Sequence, residues 1–160
     1  MWLKRKTKNM TNSYLTFKLH NEHFAVNVNK VLEVLQEFKI VEVPDAPEYI
    51  KGMINFRGNI IPIINFRQKF QFPKNESEQN KVIILEIIID DNPIKFGAIV
   101  DKVNDVFEIN EQDIKEKPEF GSKYNPEYME GMINKDDNYF MLLNIEKVFT
   151  DKEIDIINKL

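Results

Sequence analysis

The chain has 160 residues, 42% of them apolar, and a formal net charge of −4. This length suits one domain or two small lobes that share a core, and the acidic balance gives no global attraction for nucleic acid. Cysteine is absent, which excludes disulfides and thiolate metal sites, and no apolar run is long enough for a membrane-spanning helix or a signal peptide. We expect residues 1–12 to be a disordered basic leader.

Local patterns in the first half predict two hairpins. Alternating apolar residues predict strands over 13–19 and 24–28, whereas residues 30–35 fit either a strand or one helical turn. Two further strands, over 52–55 and 59–65, flank a predicted turn at Arg57-Gly58. Because Pro62 cannot donate a hydrogen bond to a neighbouring strand, we expect its strand to lie at a sheet edge or to be bulged there.

The second half repeats this organisation. Residues 72–81 are polar and form the best linker candidate, and a hairpin over 82–89 and 95–100 follows. A long loop over 110–126 and a short C-terminal helix over 153–160 complete the chain. No long helix is predicted between strands, so parallel crossover units are not expected.

The sequence contains an internal repeat. Residues 127–149 align without gaps on residues 48–70, with nine of 23 positions identical, and Phe96 and Asp105 match Phe24 and Glu33 at an offset of 72. A repeat at fixed spacing indicates one structural unit used twice. Short strands with frequent turns favour small barrels, so we predict a mainly β protein of two intertwined barrel lobes. They cover roughly 13–71 and 82–150, and a crossover of the chain between them is left open.

The two copies differ at one predicted turn, where Phe56-Arg57-Gly58 corresponds to Lys135-Asp136-Asp137. Arg57 offers a planar fork of five donors, and Gly58 can adopt positive φ and let another backbone approach closely. Glu33 is a carboxylate within the apolar run 31–35. A duplicated scaffold with one decorated copy is typical of a binding module, although an ordinary turn arginine and a solvent-facing glutamate would give the same pattern.

Enzyme chemistry finds little support in the sequence. It lacks a glycine-rich phosphate loop, and His20 and His23 are its only histidines. We therefore assign no catalytic, cofactor-binding or metal-binding residue. Glu127, Glu130 and Asn134 could position a hydrolytic water, which makes a phospho-receiver phosphatase the enzymatic alternative. These three residues belong to the repeated scaffold, which favours a packing role.

Four short motifs give the chain a family resemblance: Lys30-Val31-Leu32-Glu33-Val34, Gly52-x-x-Asn55-x-Arg57-Gly58-x-x-x-Pro62, Gly97-Ala98-Ile99-Val100-Asp101-Lys102-Val103 and Asn144-Ile145-Glu146-Lys147-Val148. On these motifs the sequence resembles the CheW-like family over about residues 13–152. It departs from the family pattern at Asn65, where aspartate is usual, at Phe66, where leucine is usual, and at Leu35, where some members have arginine.

The resemblance implies one CheW-like domain over 13–152, built from two SH3-like five-stranded barrels with short helices, without catalytic activity or cofactor. It implies an adaptor that joins the regulatory domain of the histidine kinase CheA to the cytoplasmic helical tips of chemoreceptors. We therefore expect a cytoplasmic protein recruited to membrane-associated receptor arrays. Other copies of the adaptor are further expected partners, and nucleic acid and direct membrane insertion are not expected.

In the family, the residues that match Glu33 and Arg57 are functionally sensitive and are thought to pair. The expected set of kinase-contacting or receptor-contacting residues is Glu33, Arg57, Gly58, Val31, Asn55, Phe56, Ile54, Ile99 and Val100. For the apolar candidates Val31, Ile54, Ile99 and Val100, a core position is favoured over a partner contact. Since the sequence shows no kinase or receiver segment, we favour a stand-alone adaptor. The alternative is a CheW-like paralogue that serves a different receptor array or a non-chemotaxis two-component pathway.

Overall fold

The structure, a computed structural model, describes residues 11–74, 80–116 and 126–160. Within these ranges lie ten strands: β1 (Thr11–Leu19), β2 (Glu22–Asn27), β3 (Val31–Leu35), β4 (Ile50–Phe56), β5 (Asn59–Asn65), β6 (Lys81–Ile89), β7 (Asn92–Val100), β8 (Lys102–Asn110), β9 (Met129–Lys135) and β10 (Asn138–Leu143). Two short helices accompany them, α1 (Phe66–Lys69) and α2 (Asp151–Asn158). Four 3-10 turns cover Val28–Lys30, Glu111–Asp113, Pro126–Tyr128 and Ile145–Lys147.

The strands form two five-stranded sheets. Sheet A has the order β8-β1-β2-β10-β9, and sheet B has the order β3-β6-β7-β5-β4. This arrangement confirms the prediction of a mainly β protein with two five-stranded units. Most neighbours are antiparallel, but β5 pairs with β7 and β10 pairs with β2 in parallel. Neither parallel pair is a strand–helix–strand unit with a long helix, because the described chain between the paired strands consists mainly of other strands.

Each sheet is assembled from both halves of the chain. Sheet A combines the first hairpin, β1–β2, with β8, β9 and β10, whereas sheet B combines β6–β7 with β3, β4 and β5. In terms of the repeat, the two copies have exchanged their leading hairpins. The sheets therefore do not follow the expected boundaries of 13–71 and 82–150. Along the described residues the chain passes between the sheets twice, between β2 and β3 and between β7 and β8.

Equivalent backbone contacts recur in the two copies. The amide of Asn65 donates to the Tyr49 carbonyl at 2.8 Å, and the amide of Asn144 donates to the Tyr128 carbonyl at 2.7 Å. Both donors lie 79 residues apart in sequence, as do both acceptors. The sequence repeat is thus also a repeat of backbone geometry.

Close backbone approach accounts for the glycine that both copies place in β4 and β9. A Cβ added at Gly52 would lie 2.4 Å from the Val41 carbonyl oxygen, and one added at Gly131 would lie 2.7 Å from the Lys115 carbonyl oxygen. Val41 and Lys115 form isolated antiparallel bridges to the next residue of each strand, Met53 and Met132. These bridging segments cover the outer edges of β4 and β9, and a side chain at the glycine would displace them.

Three hydrophobic clusters explain how two small sheets become one folded unit. One cluster contains only residues of sheet B and another only residues of sheet A, so each sheet encloses its own apolar interior. The third and largest contains buried residues of both sheets and both helices. Within it, Phe24 of sheet A stacks on Phe70, which follows α1, with ring centroids 5.8 Å apart. Burying each such ring stabilises the fold by roughly 1.5–3 kcal/mol.

Several predicted boundaries need correction. Thr11 and Asn12 belong to β1, paired with Asn110 and Ile109, so they are not part of a disordered leader. Residues 1–10 and the central parts of the expected linker and long loop lie outside the described residues. Residues 31–35 form a strand, which resolves the ambiguity there.

The prediction for Pro62 was wrong in its main point. Its strand, β5, lies between β7 and β4 and is not an edge. Pairing with β7 begins only at Ile63, so the strand has no β7 partner at Pro62. The missing donor of proline therefore costs no ladder hydrogen bond on that side.

The C-terminal helix begins at Asp151, two residues earlier than the expected start. Thr150 caps it, because its hydroxyl accepts from the Glu153 amide and the Glu153 side chain accepts from the Thr150 amide. This reciprocal pair satisfies two otherwise unpaired amides and fixes where the helix begins. Ile154 and Ile157, one helical turn apart, then face the largest cluster.

Candidate partner-binding site

The turn between β4 and β5 projects a charged side chain from sheet B. Phe56 pairs with Asn59, which leaves a two-residue turn in which Arg57 has φ 51° and Gly58 has φ 85°. Two consecutive positive φ values match the right-handed twist of the flanking strands. The Asn55 side-chain oxygen accepts from the Gly58 amide at 3.0 Å and holds the turn.

Arg57 and Glu33 form the ion pair expected from the family resemblance. The Arg57 guanidinium donates to a Glu33 carboxylate oxygen at 3.0 Å. Glu33 lies on β3 and Arg57 directly follows β4, and these are the two edge strands of sheet B. The pair thus brings the two edges of one sheet together, which is the geometry expected of a sheet curled towards a barrel.

The pair is largely open to solvent. The side chains of Arg57 and Glu33 are 65% and 40% exposed. The guanidinium also lies over the ring of buried Phe56, 4.8 Å from its centroid. Phe56 therefore limits the positions that Arg57 can adopt. An exposed pair of this kind contributes only about 0–1 kcal/mol to folding, so its value lies in presenting an ordered charged surface.

Sheet A bridges its edges with different chemistry. Asp105 and Asp136, which correspond to Glu33 and Arg57 in the repeat, are both acidic and cannot pair as ions. Instead, the ammonium of Lys135, at the end of β9, lies 3.8 Å from the ring centroid of Phe107 on β8. The two lobes thus share a scaffold but present opposite charges at their turns, which a single partner would not recognise equally.

The remaining residues of the expected contact set fall into two groups. Asn55 and Gly58 are exposed beside Arg57, and Val31 is half-buried two residues before Glu33. Four residues are buried instead, with at most 5% exposed in each case: Ile54, Phe56, Ile99 and Val100. Ile54, Phe56 and Ile99 belong to the interior of sheet B, and Val100 belongs to the largest cluster. These four residues therefore occupy core positions in the structure. Ile54, Phe56 and Ile99 pack beneath the site, whereas Val100 faces the cluster between the sheets.

Sequence reasoning missed two exposed apolar side chains that are adjacent to residues of the candidate site in sequence or in register. Leu32, next to Glu33 on β3, is 38% exposed, and Ile60, opposite Asn55 in the hairpin register, is 62% exposed. Strand alternation could have identified Ile60, since the adjacent Ile61 points inward. Leu32 lies at a register shift between Val31 and Glu33, which alternation does not reveal. Together with Arg57 and Glu33 they give the site an apolar and a charged component, as protein-binding surfaces commonly have.

The residues of the enzymatic alternative do not converge. Glu130 and Asn134 lie four positions apart on β9, which separates them by about 13 Å along the strand. Glu130 instead accepts a hydrogen bond from the Tyr14 hydroxyl at 3.5 Å, and burial raises the pKa of its carboxyl. The described residues contain no group of three or more histidine or acidic side chains that could hold a metal ion.

A duplicated β scaffold with one ordered, charged turn is typical of a protein-binding module. The chain belongs to the CheW-like family, since the family model for the CheW-like domain matches residues 13–153. This match confirms the resemblance drawn from the motifs, both in the family and in the range of residues that it covers. The chain is therefore a chemotaxis adaptor domain with a scaffolding role, and it is not an enzyme.

Similar proteins support this assignment along most of the chain. A "Chemotaxis protein CheW" of Klebsiella aerogenes is 30% identical over 145 residues, covering 91% of this chain and 86% of the relative. A protein of the same name from Bacillus subtilis is 28% identical over 140 residues, covering 87% and 86%. The crystal structure of the scaffolding protein TtCheW from Thermoanaerobacter tengcongensis superposes with a TM-score of 0.74 at 30% identity, covering 84% of this chain and 90% of that one.

The described part of the chain includes no helix that is long and apolar enough to cross a membrane.

Proposed function

We propose that this adaptor couples the regulatory domain of the histidine kinase CheA to the cytoplasmic helical tips of chemoreceptors, and that it is recruited from the cytoplasm to membrane-associated receptor arrays. The observation that carries the proposal is the exposed Arg57–Glu33 pair at the edges of sheet B. Its arginine is pre-ordered over Phe56, so a partner carboxylate or backbone carbonyl meets donors already in place.

Gly58 adds a second argument. A Cβ at this position would meet nothing within 4 Å, so the protein's own packing does not require glycine. The equivalent residue of the other copy, Asp137, occupies the same kind of turn with φ 65°. The scaffold therefore tolerates a side chain there, and glycine at position 58 keeps the surface clear for the backbone of a partner.

Two lobes with different turns give the protein two distinct binding surfaces. The tip of sheet B carries Arg57, and the tip of sheet A carries Asp136 and Asp137. One surface can engage the kinase and another a receptor helix, and further adaptor copies can join the assembly. Individually weak contacts then give strong association, because each bound module raises the effective concentration of the next.

Gly58→Asp tests the proposal directly, since it copies the other repeat. We expect the variant to fold with a loss of only about 1 kcal/mol, since aspartate adopts this backbone region more readily than most residues. Binding titrations against a CheA regulatory domain and a receptor fragment should show at least about a tenfold loss of affinity for one of them. Gly58→Asn separates the effect of bulk from that of charge.

Asp137→Gly is the matched control, because it makes the reciprocal exchange in the other turn. It should leave the affected affinity within about twofold of the unmodified protein. Equal affinities for all four proteins would show that the turn of sheet B is not a contact surface. If the unmodified protein binds neither partner but binds components of another two-component pathway, the paralogue alternative is correct.

A further inference from the structure

The two places where the chain passes between the sheets have a shared feature. The first is the 3-10 turn Val28–Lys30, which joins β2 to β3, and the second is Asp101, which joins β7 to β8. Each passage carries a charged side chain, Lys30 or Asp101, that forms an ion pair. In both pairs the other member follows the last strand of one repeat copy.

The pair at the second passage is a bidentate fork. Arg67 donates to the two Asp101 carboxylate oxygens at 2.6 and 2.7 Å, and the two side chains are only 12% and 10% exposed. One of these oxygens also accepts from the His20 amide at 2.7 Å. Arg67 lies on α1, directly after sheet B, and His20 lies in the β1–β2 turn of sheet A. Asp101 is therefore bonded to both lobes.

The pair at the first passage occupies a similar place in the repeat, with the cation on the passage and the anion after the last strand. Lys30 donates to Glu146, which lies in the 3-10 turn after β10. Glu146 is the equivalent of Arg67, 79 residues later in the chain. Lys30 is adjacent to Asn29, the equivalent of Asp101 at the offset of 72. These side chains are more open, at 35% and 33% exposed, so this pair constrains the lobes less than the fork does.

We propose that Arg67, Asp101, Lys30 and Glu146 are positioning residues that fix the angle between the two lobes. The apolar cluster between the sheets holds the lobes together but is non-directional. A buried bidentate fork has a defined geometry, and buried ion pairs of this kind can specify an arrangement without adding net stability. The two pairs thus select one of the orientations that the apolar contacts alone would permit.

A fixed angle has a consequence for coupling, and this step rests on the proposed function. If kinase and receptor bind different surfaces of the two lobes, the Arg67–Asp101 and Lys30–Glu146 pairs determine whether both partners can bind at once in the required orientation. Loss of a pair should then leave each separate contact intact and impair their combination. This distinguishes the positioning residues from Arg57, because loss of Arg57 should weaken the binding of a single partner.

The angle itself can be measured without a partner. Because the chain has no cysteine, spin labels can be attached uniquely at Asn59→Cys and Asn138→Cys. These exposed, repeat-equivalent positions begin β5 and β10, one in each sheet. Pulsed electron paramagnetic resonance should give one narrow distribution of distances between the two spin labels. Arg67→Met should broaden it at least about twofold or add a second maximum, and Lys30→Met should have a smaller effect.

Lys95→Met is the matched control, because Lys95 pairs with Glu86 within sheet B alone, at 3.9 Å. It should leave the distance distribution unchanged. Unchanged distributions in both Arg67→Met and Lys30→Met would overturn the proposal. If Arg67→Met does not fold, Asp101→Asn replaces it, since this change removes the charge and preserves the shape of the side chain. An unchanged distribution in folded Asp101→Asn would be equally contradictory.

The coupling step is tested separately by titration. Arg67→Met or Asp101→Asn should bind a CheA regulatory domain and a receptor fragment singly within about twofold of the unmodified protein, whereas formation of the ternary complex should fall at least about fivefold. Unimpaired ternary assembly, or an equal loss of single binding, would contradict the coupling step. If the unmodified protein binds neither partner, the proposed function fails while the distance measurement still decides the role of the pairs.

Discussion

Arg57 shows how an exposed side chain can matter more for binding than for folding. Its pair with Glu33 is open to solvent, so Arg57→Ala should lower the free energy of unfolding by only about 0–1 kcal/mol. In a complex the same pair loses water, and truncating one member of a desolvated pair costs roughly 2–5 kcal/mol of binding free energy. Thermal melts and titrations with kinase and receptor fragments measure the two quantities.

Lys135→Ala provides the comparison in the other lobe, where it removes the contact with Phe107. The assignment of Arg57 fails if Arg57→Ala unfolds the protein or if its affinities match those of the unmodified chain.

His23 makes a second prediction at the residue scale. Its Nδ1 atom is buried without a hydrogen-bond partner among the described residues, and its ring lies 5.1 Å from that of Phe140. Burial, and secondarily the charge of Lys18, lowers the pKa of His23 below its ordinary value of 6.5. The unfolded chain therefore takes up this proton first as the pH falls.

The contribution of His23 to stability should accordingly be complete above pH 6.5 and decline as the pH falls from there towards the lowered pKa. We expect urea denaturation at about pH 7.5 and pH 5 to show that the free energy of unfolding falls more between these two pH values for the unmodified protein than for His23→Phe. The His23→Phe variant keeps a ring beside Phe140. His20→Asn, at an exposed turn, is the control, and its free energy of unfolding should fall as much as that of the unmodified protein. Equal losses in His23→Phe and the unmodified protein would refute this role.

At the scale of single strands, Gly52 and Gly131 make the same prediction twice. Alanine at either position would force back a bridging segment whose carbonyl oxygen lies 2.4 or 2.7 Å from the added Cβ. We expect each substitution to cost about 1–3 kcal/mol, measured by urea denaturation. Gly58→Asn is the control, because a Cβ at this position would meet nothing within 4 Å. If Gly52→Ala costs no more than Gly58→Asn, close approach is not the reason for glycine in β4.

The same scale shows what the sequence could predict. Hairpins were predictable because their pattern is local: alternation marks β1 and β2, and the turn at Arg57-Gly58 separates β4 from β5. The pairing of β2 with β10 was not, since it joins residues more than 100 positions apart and no periodic pattern specifies a strand's outer neighbour. Pro62 illustrates the point, because its position depends on where β7 begins to pair.

The candidate site was predictable to a similar extent. Glu33 and Arg57 were expected to pair because family motifs mark both residues, and the structure brings them within 3.0 Å. Ile54 and Ile99 were named as contact candidates although core positions were favoured, and both are buried, since an apolar residue near a functional motif gives no sign of the face it occupies. Strand alternation decides this only when the register is known, and the register follows from the fold.

At the scale of the whole molecule, the exchange of hairpins between the repeat copies makes the two halves interdependent. Residues 1–77 contain β1 to β5, which supply two strands of sheet A and three of sheet B. Residues 78–160 supply the complement. Neither half can complete a five-stranded sheet or the largest apolar cluster, which draws buried residues from both. A two-stranded ribbon without such packing is at best marginally stable in water.

We therefore predict that fragments 1–77 and 78–160, produced separately, lack cooperative unfolding transitions and that mixing them restores one. Circular dichroism melts measure the transition, and gel filtration of the mixture should give the size of the intact chain. A cut at this point separates β5 from β6, which belong to the same sheet, so no passage between the sheets is broken. In the mixture, strand pairing within sheet B can therefore hold the two fragments together in place of the cut link between β5 and β6. A cooperative melt of either fragment alone would show that half of the chain suffices for a core, and the exchange of hairpins would then be a feature of the complete chain rather than a requirement for folding.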